Sequence, residues 1–156
     1  MSIHGSKARR LGFQRERELV RLFWKKGFAC MRAPASGAKV KRTVYPDVVA
    51  LKNGFTLIFE VKTREKRGTI YIEKEKIEKL LEFARRVKSK AYAFIAVKFM
   101  DGSGWRFIPV ELLEETRGGR FKVTEEAYNK GLTLKELCGI VDGVASLDKF
   151  LSTLEA

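Results

Sequence analysis

Val44-Tyr45-Pro46-Asp47-Val48-Val49-Ala50-Leu51-Lys52-Asn53-Gly54-Phe55-Thr56-Leu57-Ile58-Phe59-Glu60-Val61-Lys62 is a pair of β-prone runs joined by Asn53-Gly54, the strongest short hairpin signal. A two-residue turn fixes the register. With Lys52 opposite Phe55, Asp47 falls opposite Glu60, so their side chains emerge on one face with Cβ atoms about 5 Å apart, and Lys62 shares that face. Like charges directly opposed on a sheet are destabilising, so the pair calls for a cation. Mg²⁺ suits it, as a hard ion that takes one or two carboxylates, waters and phosphate oxygens. Lys62 beside such an ion would orient or deprotonate a water, or stabilise charge on a phosphate. That constellation hydrolyses phosphodiesters. The competing reading is a surface hairpin whose Asp, Glu and Lys pair in solvent, and a longer turn would shift the register in its favour.

The remaining composition narrows the function classes. The chain has 156 residues, 45% of them hydrophobic and 11% aromatic, which predicts one folded domain with a real core. A formal charge of +13 makes a polyanion the expected partner, either nucleic acid or an anionic membrane surface. No apolar run is long enough to span a bilayer and no signal-peptide core opens the chain, so no membrane and a cytoplasmic, intracellular location are expected. Cys30 and Cys138 fit no zinc spacing and read as reduced thiols. His4 is the only histidine, which excludes mechanisms that need a histidine pair. Gln14, Asn53 and Asn129 are the only side-chain amides, a thermophile-like composition. Nucleotide hydrolysis and dinucleotide binding lack their glycine-rich signatures.

Outward from the hairpin, Met1 to Leu11 carries Lys7, Arg9 and Arg10 and reads as a basic arm that contacts phosphate or as a frayed solvated terminus. Gly12 to Gly27 is helical, with Phe13, Leu19, Val20, Phe23 and Trp24 on one stripe. At about 100° per residue, Glu16 falls inside that arc and Glu18 nearly opposite it. A carboxylate facing a core needs a partner: the Asp47 and Glu60 site, or a structural salt bridge. Phe28 to Arg32 is a first strand. Ala33 to Thr43 is a loop whose Ser36-Gly37, Lys39, Lys41 and Arg42 suit a phosphate clamp or a plain connection. Pro46 marks a strand edge or a strand start. Arg64, Lys66 and Arg67 make a basic exit from the hairpin.

Further along, Thr69 to Ile72 is extended, Glu73 to Lys88 is an amphipathic helix, and Ala91 to Phe99 is a strand buried on both faces. Trp105 to Pro109 is a fifth strand whose Trp105 and Phe107 form either core or a dimer surface. Past Val110 the pattern weakens, so residues 111–156 read as a C-terminal extension. Arg117 to Arg120 is a turn, Phe121 to Thr124 a short strand, and Leu132 to Ala156 has helical spacing.

Pro46-Asp47 followed by Glu60-Val61-Lys62 resembles the signature of the PD-(D/E)XK nuclease superfamily. With Gln14-Arg15-Glu16-Arg17-Glu18-Leu19, the Ala35-Ser36-Gly37 loop, and Val97-Lys98-Phe99 before Gly104-Trp105-Arg106-Phe107, the chain resembles the archaeal Holliday-junction resolvases from about Gly12 to Val110. That resemblance implies an α/β, restriction-endonuclease-like fold, with a mixed central β-sheet flanked by helices. It implies that Glu16, Asp47 and Glu60 form a Mg²⁺ site, which Mn²⁺ would also fill. Lys62 would act on the attacking water, and Ser36 would lie near the scissile phosphate. It further implies a homodimer that resolves four-way junctions, since two matched cuts suit two-fold symmetry. A non-catalytic branched-DNA-binding protein and a restriction or repair nuclease acting on duplex DNA are the alternatives.

Overall fold

The computed structural model describes residues 3–34, 45–143 and 146–155. Helix α1 (Ile3–Lys25) begins at Ile3 rather than at Gly12. Lys7-Ala8-Arg9-Arg10-Leu11 are all good helix formers, and no proline or cap separates them from the apolar stripe. The basic segment therefore continues the helix and is not a separate arm. At the far end Gly27, at φ +86°, turns the chain, and Phe28 N–H returns to the Phe23 carbonyl at 3.0 Å.

Strand β1 (Ala29–Arg32) then pairs antiparallel with β2 (Val48–Lys52), and β2 pairs antiparallel with β3 (Phe55–Arg64). Asn53 and Gly54 both have positive φ, 52° and 80°, as a tight hairpin turn of this kind requires. Lys52 pairs with Phe55 and Val48 with Phe59, so the register is the one a two-residue turn dictates. Pro46 stands ahead of the first paired residue, as a strand start. β2 itself is an inner strand, not an edge.

The chain continues through β4 (Ile70–Ile72) and α2 (Lys74–Val87) to β5 (Ala91–Phe99), which runs parallel to β3, and β6 (Trp105–Pro109) closes that edge antiparallel to β5. The result is a mixed sheet of five strands in the order β1-β2-β3-β5-β6. After a 3-10 turn at Val110–Leu112 come β7 (Glu114–Glu115), β8 (Phe121–Val123), α3 (Glu125–Lys130), α4 (Leu134–Val141) and α5 (Leu147–Glu155). β4, β8 and β7 form a second, three-stranded sheet.

Helices cover both faces of the main sheet. On one face Leu19, Phe23 and Phe28 pack with Phe59, Phe94 and Phe107, and α4 and α5 add Leu137, Ile140 and Leu147. Phe59 is the hub, with ring centroids 5.2 Å from Phe23, 5.4 Å from Phe107 and 5.8 Å from Phe94. On the other face Ile58, Ile95, Val97 and Phe99 pack with Ile77, Leu80 and Tyr128. Trp105 and Phe107 are both buried in the first core, which overturns their reading as a dimer surface. The outer face of β1 and β2 is left bare instead: Met31 is 59% exposed and Leu51 43%.

The C-terminal stretch completes these cores. The α4 end also ties down the hairpin turn, because Asn53 Nδ2 donates to the Val141 carbonyl at 3.2 Å and Lys52 Nζ lies 2.9 Å from Asp142. Helix α3 escaped the periodicity reading because a helix this short repeats no apolar stripe. Its start was marked all the same by Thr124, whose side chain accepts from Ala127 N–H, followed by Glu125 and Glu126.

Candidate active site

Strand alternation sends Phe59 into the first core and leaves Glu60 and Lys62 on the α2 side of β3. Asp47 lies just outside β2, where its N–H donates to the Phe59 carbonyl at 3.0 Å. That carbonyl belongs to the residue already paired with Val48, so the regular ladder ends there and does not run on to an Asp47–Glu60 pair. The two carboxyls nonetheless lie close enough to interact. Asp47 Oδ2 in turn accepts the Val61 backbone N–H at 2.8 Å, which fixes the carboxylate. Burial, and then the negative charge of Glu60, push the Asp47 carboxyl up to about 7.

Glu60 is one of the few buried polar residues, at 6% exposure. Its Oε1 lies 3.6 Å from Lys62 Nζ and accepts a hydrogen bond from Lys76 Nζ at 3.0 Å. Burial holds Lys62 below the ordinary lysine range, although Glu60 pulls the other way. Burial also works against the charge on Lys76, yet the Glu60 carboxylate prevails and raises it.

Glu16 arrives from α1, which packs on the opposite face of the sheet. Arg32 lies 3.7 Å from its Oε2, and burial raises the Glu16 carboxyl despite that cation, with the Glu60 charge adding to the rise. Both readings of Glu16 thus have substance: it has a structural salt-bridge partner, and it lies close enough to the pair to feel its charge. Glu18 is not on the solvent side. It pairs with Arg15 at 2.9 Å and with Lys98 of β5 at 2.5 Å. Glu16 and Glu18 flank the apolar stripe, and a glutamate stem is long enough to reach cations of the sheet from either flank.

Among the described residues, no three histidine, cysteine or acidic side chains converge tightly enough to hold an ion. Asp47 and Glu60 come together, while Glu16 has Arg32 as its ion-pair partner at 3.7 Å. The donor chemistry nonetheless fits a hard divalent cation: carboxylate oxygens, two of them mutually repelling and partly desolvated. Ser36, Lys39, Lys41 and Arg42 lie outside the described residues, as does the side chain of Arg9. Lys7, Arg10, Arg64 and Lys66 are exposed. Arg67 is engaged within the fold, 2.7 Å from Asp101 and stacked 5.1 Å from the Tyr128 ring centre.

Sequence reasoning missed Lys76 and Arg32. Lys76 sits in an alternating run of lysines and glutamates in which nothing marks one lysine as inward. Arg32 ends β1, and only the packing of α1 across that strand reveals its partner.

Known proteins share this architecture. The family model of the archaeal Holliday junction resolvase (Hjc) matches residues 7–145, which leaves α5 beyond the matched stretch. The chain is 43% identical to the crossover junction endodeoxyribonuclease Hjc of Sulfurisphaera tokodaii over 138 residues, 87% of this chain and 92% of that one. It is 30% identical to the crossover junction endodeoxyribonuclease Hje of Saccharolobus solfataricus over 107 residues, 69% of this chain and 77% of that one. The solved structure of Archaeoglobus fulgidus Hjc, a Holliday junction resolvase from an archaeal hyperthermophile, superposes with a TM-score of 0.70 at 35% identity, over 82% of this chain and 95% of that one. Fold and sequence agree, and the chain belongs to the archaeal Holliday junction resolvase (Hjc) family.

Proposed function

We propose that this chain is a metal-dependent endodeoxyribonuclease that resolves four-way DNA junctions by paired phosphodiester cleavage, working as a homodimer at the Asp47–Glu60 pair. The observation that carries this reading is the pair itself: two carboxylates held face to face beside Lys62, in a chain of net charge +13. Asp47 and Glu60 would hold Mg²⁺, or Mn²⁺ in its place, with Glu16 as a third carboxylate once released from Arg32. The ion supplies Lewis-acid stabilisation of the phosphate and a more acidic water.

The chain's own side chains account for the rest. The Val61 N–H keeps Asp47 oriented, and a partly desolvated Lys62 gives up a proton more readily than a solvated lysine, which suits it to act on the attacking water. Arg64, Lys66, Lys7 and Arg10 would contact the DNA backbone, and Ser36 and the Lys39 to Arg42 cluster would meet the phosphate from the preceding loop. The bare apolar strip of Met31 and Leu51 supports a dimer, because exposed side chains of this size on an uncovered sheet face suit a symmetric partner. We take residues 1–156 as one nuclease domain, supported by the packing of α4 and α5 into the first core. No helix among the described residues is long and apolar enough to cross a membrane. DNA as substrate makes an intracellular site of action the natural one.

The test offers labelled four-way junction and matched linear duplex, each with Mg²⁺ or EDTA. Paired, Mg²⁺-dependent cuts in the junction are expected. Equal cutting of the duplex would favour a restriction or repair nuclease, and binding without any cut in Mg²⁺ or Mn²⁺ would favour a non-catalytic branched-DNA-binding protein.

A further inference from the structure

We propose that Lys76 is a displaceable counter-ion of the active site, competing with the divalent cation for Glu60 and so setting how tightly the site binds its ion. This rests on the reading of Asp47 and Glu60 as the metal-binding pair. Glu60 is almost fully buried, and its Oε1 faces two ammonium groups, Lys76 at 3.0 Å and Lys62 at 3.6 Å.

The two lysines are not equivalent. Lys62 leaves the same strand as Glu60, and its side chain is 18% exposed, so surrounding protein limits where it can go. Lys76 comes from the first turn of α2, and its side chain is 50% exposed, so its ammonium can exchange Glu60 for water at small cost. The root of Lys76 is nevertheless fixed, because the neighbouring Ile77 and Leu80 are each only 2% exposed in the second core. The ammonium is therefore always within reach of Glu60, which is its one ion-pair partner among the described residues.

Two consequences follow. In the absence of an ion, Lys76 offsets the repulsion between Glu60 and Asp47, which Lys62 alone meets only at the longer distance. When a divalent cation takes Glu60, Lys76 must leave, since two cations cannot share one carboxylate oxygen without repulsion. Lys76 thus lowers cation affinity in proportion to the strength of its own ion pair.

The experiment titrates Mn²⁺ into DNA-free protein, following free Mn²⁺ by electron paramagnetic resonance. Lys76→Met keeps the stem and the helix but removes the charge. Lys79→Met removes the same charge from the same helix, where Lys79 pairs with Glu75 and not with Glu60. Lys76→Met is expected to bind Mn²⁺ about three- to ten-fold more tightly than wild type, the range suited to an ion pair with one half-exposed partner. Lys76→Arg should restore wild-type affinity, and Lys79→Met should stay near it. Weaker binding by Lys76→Met would overturn the proposal and make Lys76 a structural support for Glu60, and equal gains from Lys76→Met and Lys79→Met would reduce it to general charge. Either result leaves the metal-site reading standing, provided that Asp47→Asn abolishes binding in the same titration. If Asp47→Asn binds Mn²⁺ as wild type does, the metal-site reading itself fails and the proposal goes with it.

Discussion

Asp47 Oδ2 accepts the backbone N–H of Val61 at 2.8 Å, so the carboxylate is oriented by the strand that carries Glu60 rather than by its own. An Asn side chain can keep that acceptor while losing the charge. Cleavage by Asp47→Asn should therefore fall by roughly a thousand-fold, the loss of several kcal/mol of ion-mediated stabilisation. Junction binding should survive, since the substitution removes negative charge facing a phosphate. Gel-shift and cleavage assays on one preparation read both.

The same substitution should change stability in a pH-dependent way. The folded carboxyl sits at about 7 against a reference of 3.8, so between these values the folded state keeps a proton that the unfolded state has lost. Wild-type stability then falls as pH rises through that window. Metal-free Asp47→Asn does not ionise, and at about pH 8 it should be more stable than wild type by about 4 kcal/mol and so unfold at a higher temperature. Below the reference value of 3.8 the two proteins should melt alike. Excess Mg²⁺ should narrow the difference by stabilising wild type alone.

Glu18 offers a contrasting titration. Burial opposes its charge, but hydrogen bonds from Lys98 and Arg15 outweigh burial and hold the carboxyl below 4.5. Its contribution is present above 4.5 and is lost as pH falls through the lower folded value. Glu18→Gln should cost about 0.5–1 kcal/mol near neutrality, discounted for the partial exposure of the side chain, and nothing at the acid end. Urea denaturation at the two pH values checks this. Glu18→Gln is not a neutral comparison for cleavage, because the Glu18–Lys98 ion pair anchors α1 to β5.

These cases also show how far the residues alone could be read. Asn53-Gly54 determined the hairpin register from Lys52–Phe55 to Val48–Phe59, and although the ladder stops one residue short of Asp47, that local pairing leaves its carboxyl close enough to interact with Glu60. The strands β5 and β6 were legible for the same reason, as unbroken apolar or aromatic runs. Glu18 was misplaced because a helical wheel gives the direction of Cβ and not the reach of a long side chain. Lys76 was invisible because its partner is sixteen positions away on another element. The second sheet was missed for a similar reason: β4 meets β8 only after the chain has crossed the main sheet.

Removing the bare apolar strip should change the oligomeric state. Leu51 is 43% exposed and Met31 59%, on a sheet face that α2 leaves uncovered. Leu51→Glu would bury a charge in any partner surface at this place, whereas in a monomer it would face water. A stable dimer needs about 800 Å² per partner, so one central charge should be disruptive. Light scattering at micromolar concentration should report a dimer for wild type and a monomer for Leu51→Glu. A dimer that persists in Leu51→Glu would move the interface elsewhere.

Binding should be dominated by phosphate contacts, and the exit from β3 lets individual cations be distinguished. Arg64 and Lys66 are exposed, and neither has a carboxylate within ion-pair distance among the described residues. Each that meets a phosphate releases a counter-ion, so Arg64→Ala and Lys66→Ala should each lower the slope of log affinity against log salt by about 1. Arg67 differs. Asp101 already neutralises it at 2.7 Å and Asn129 accepts a further bond at 3.3 Å, so a phosphate would have to displace a partner in place. Arg67→Ala should therefore leave the salt slope nearly unchanged while loosening the contact among Asp101, Asn129 and Tyr128. Fluorescence anisotropy of labelled junction across a salt series reads all three variants. A wild-type affinity that is flat in salt would remove the basis for phosphate-dominated binding, and a full unit lost with Arg67→Ala would mean that DNA competes successfully with Asp101.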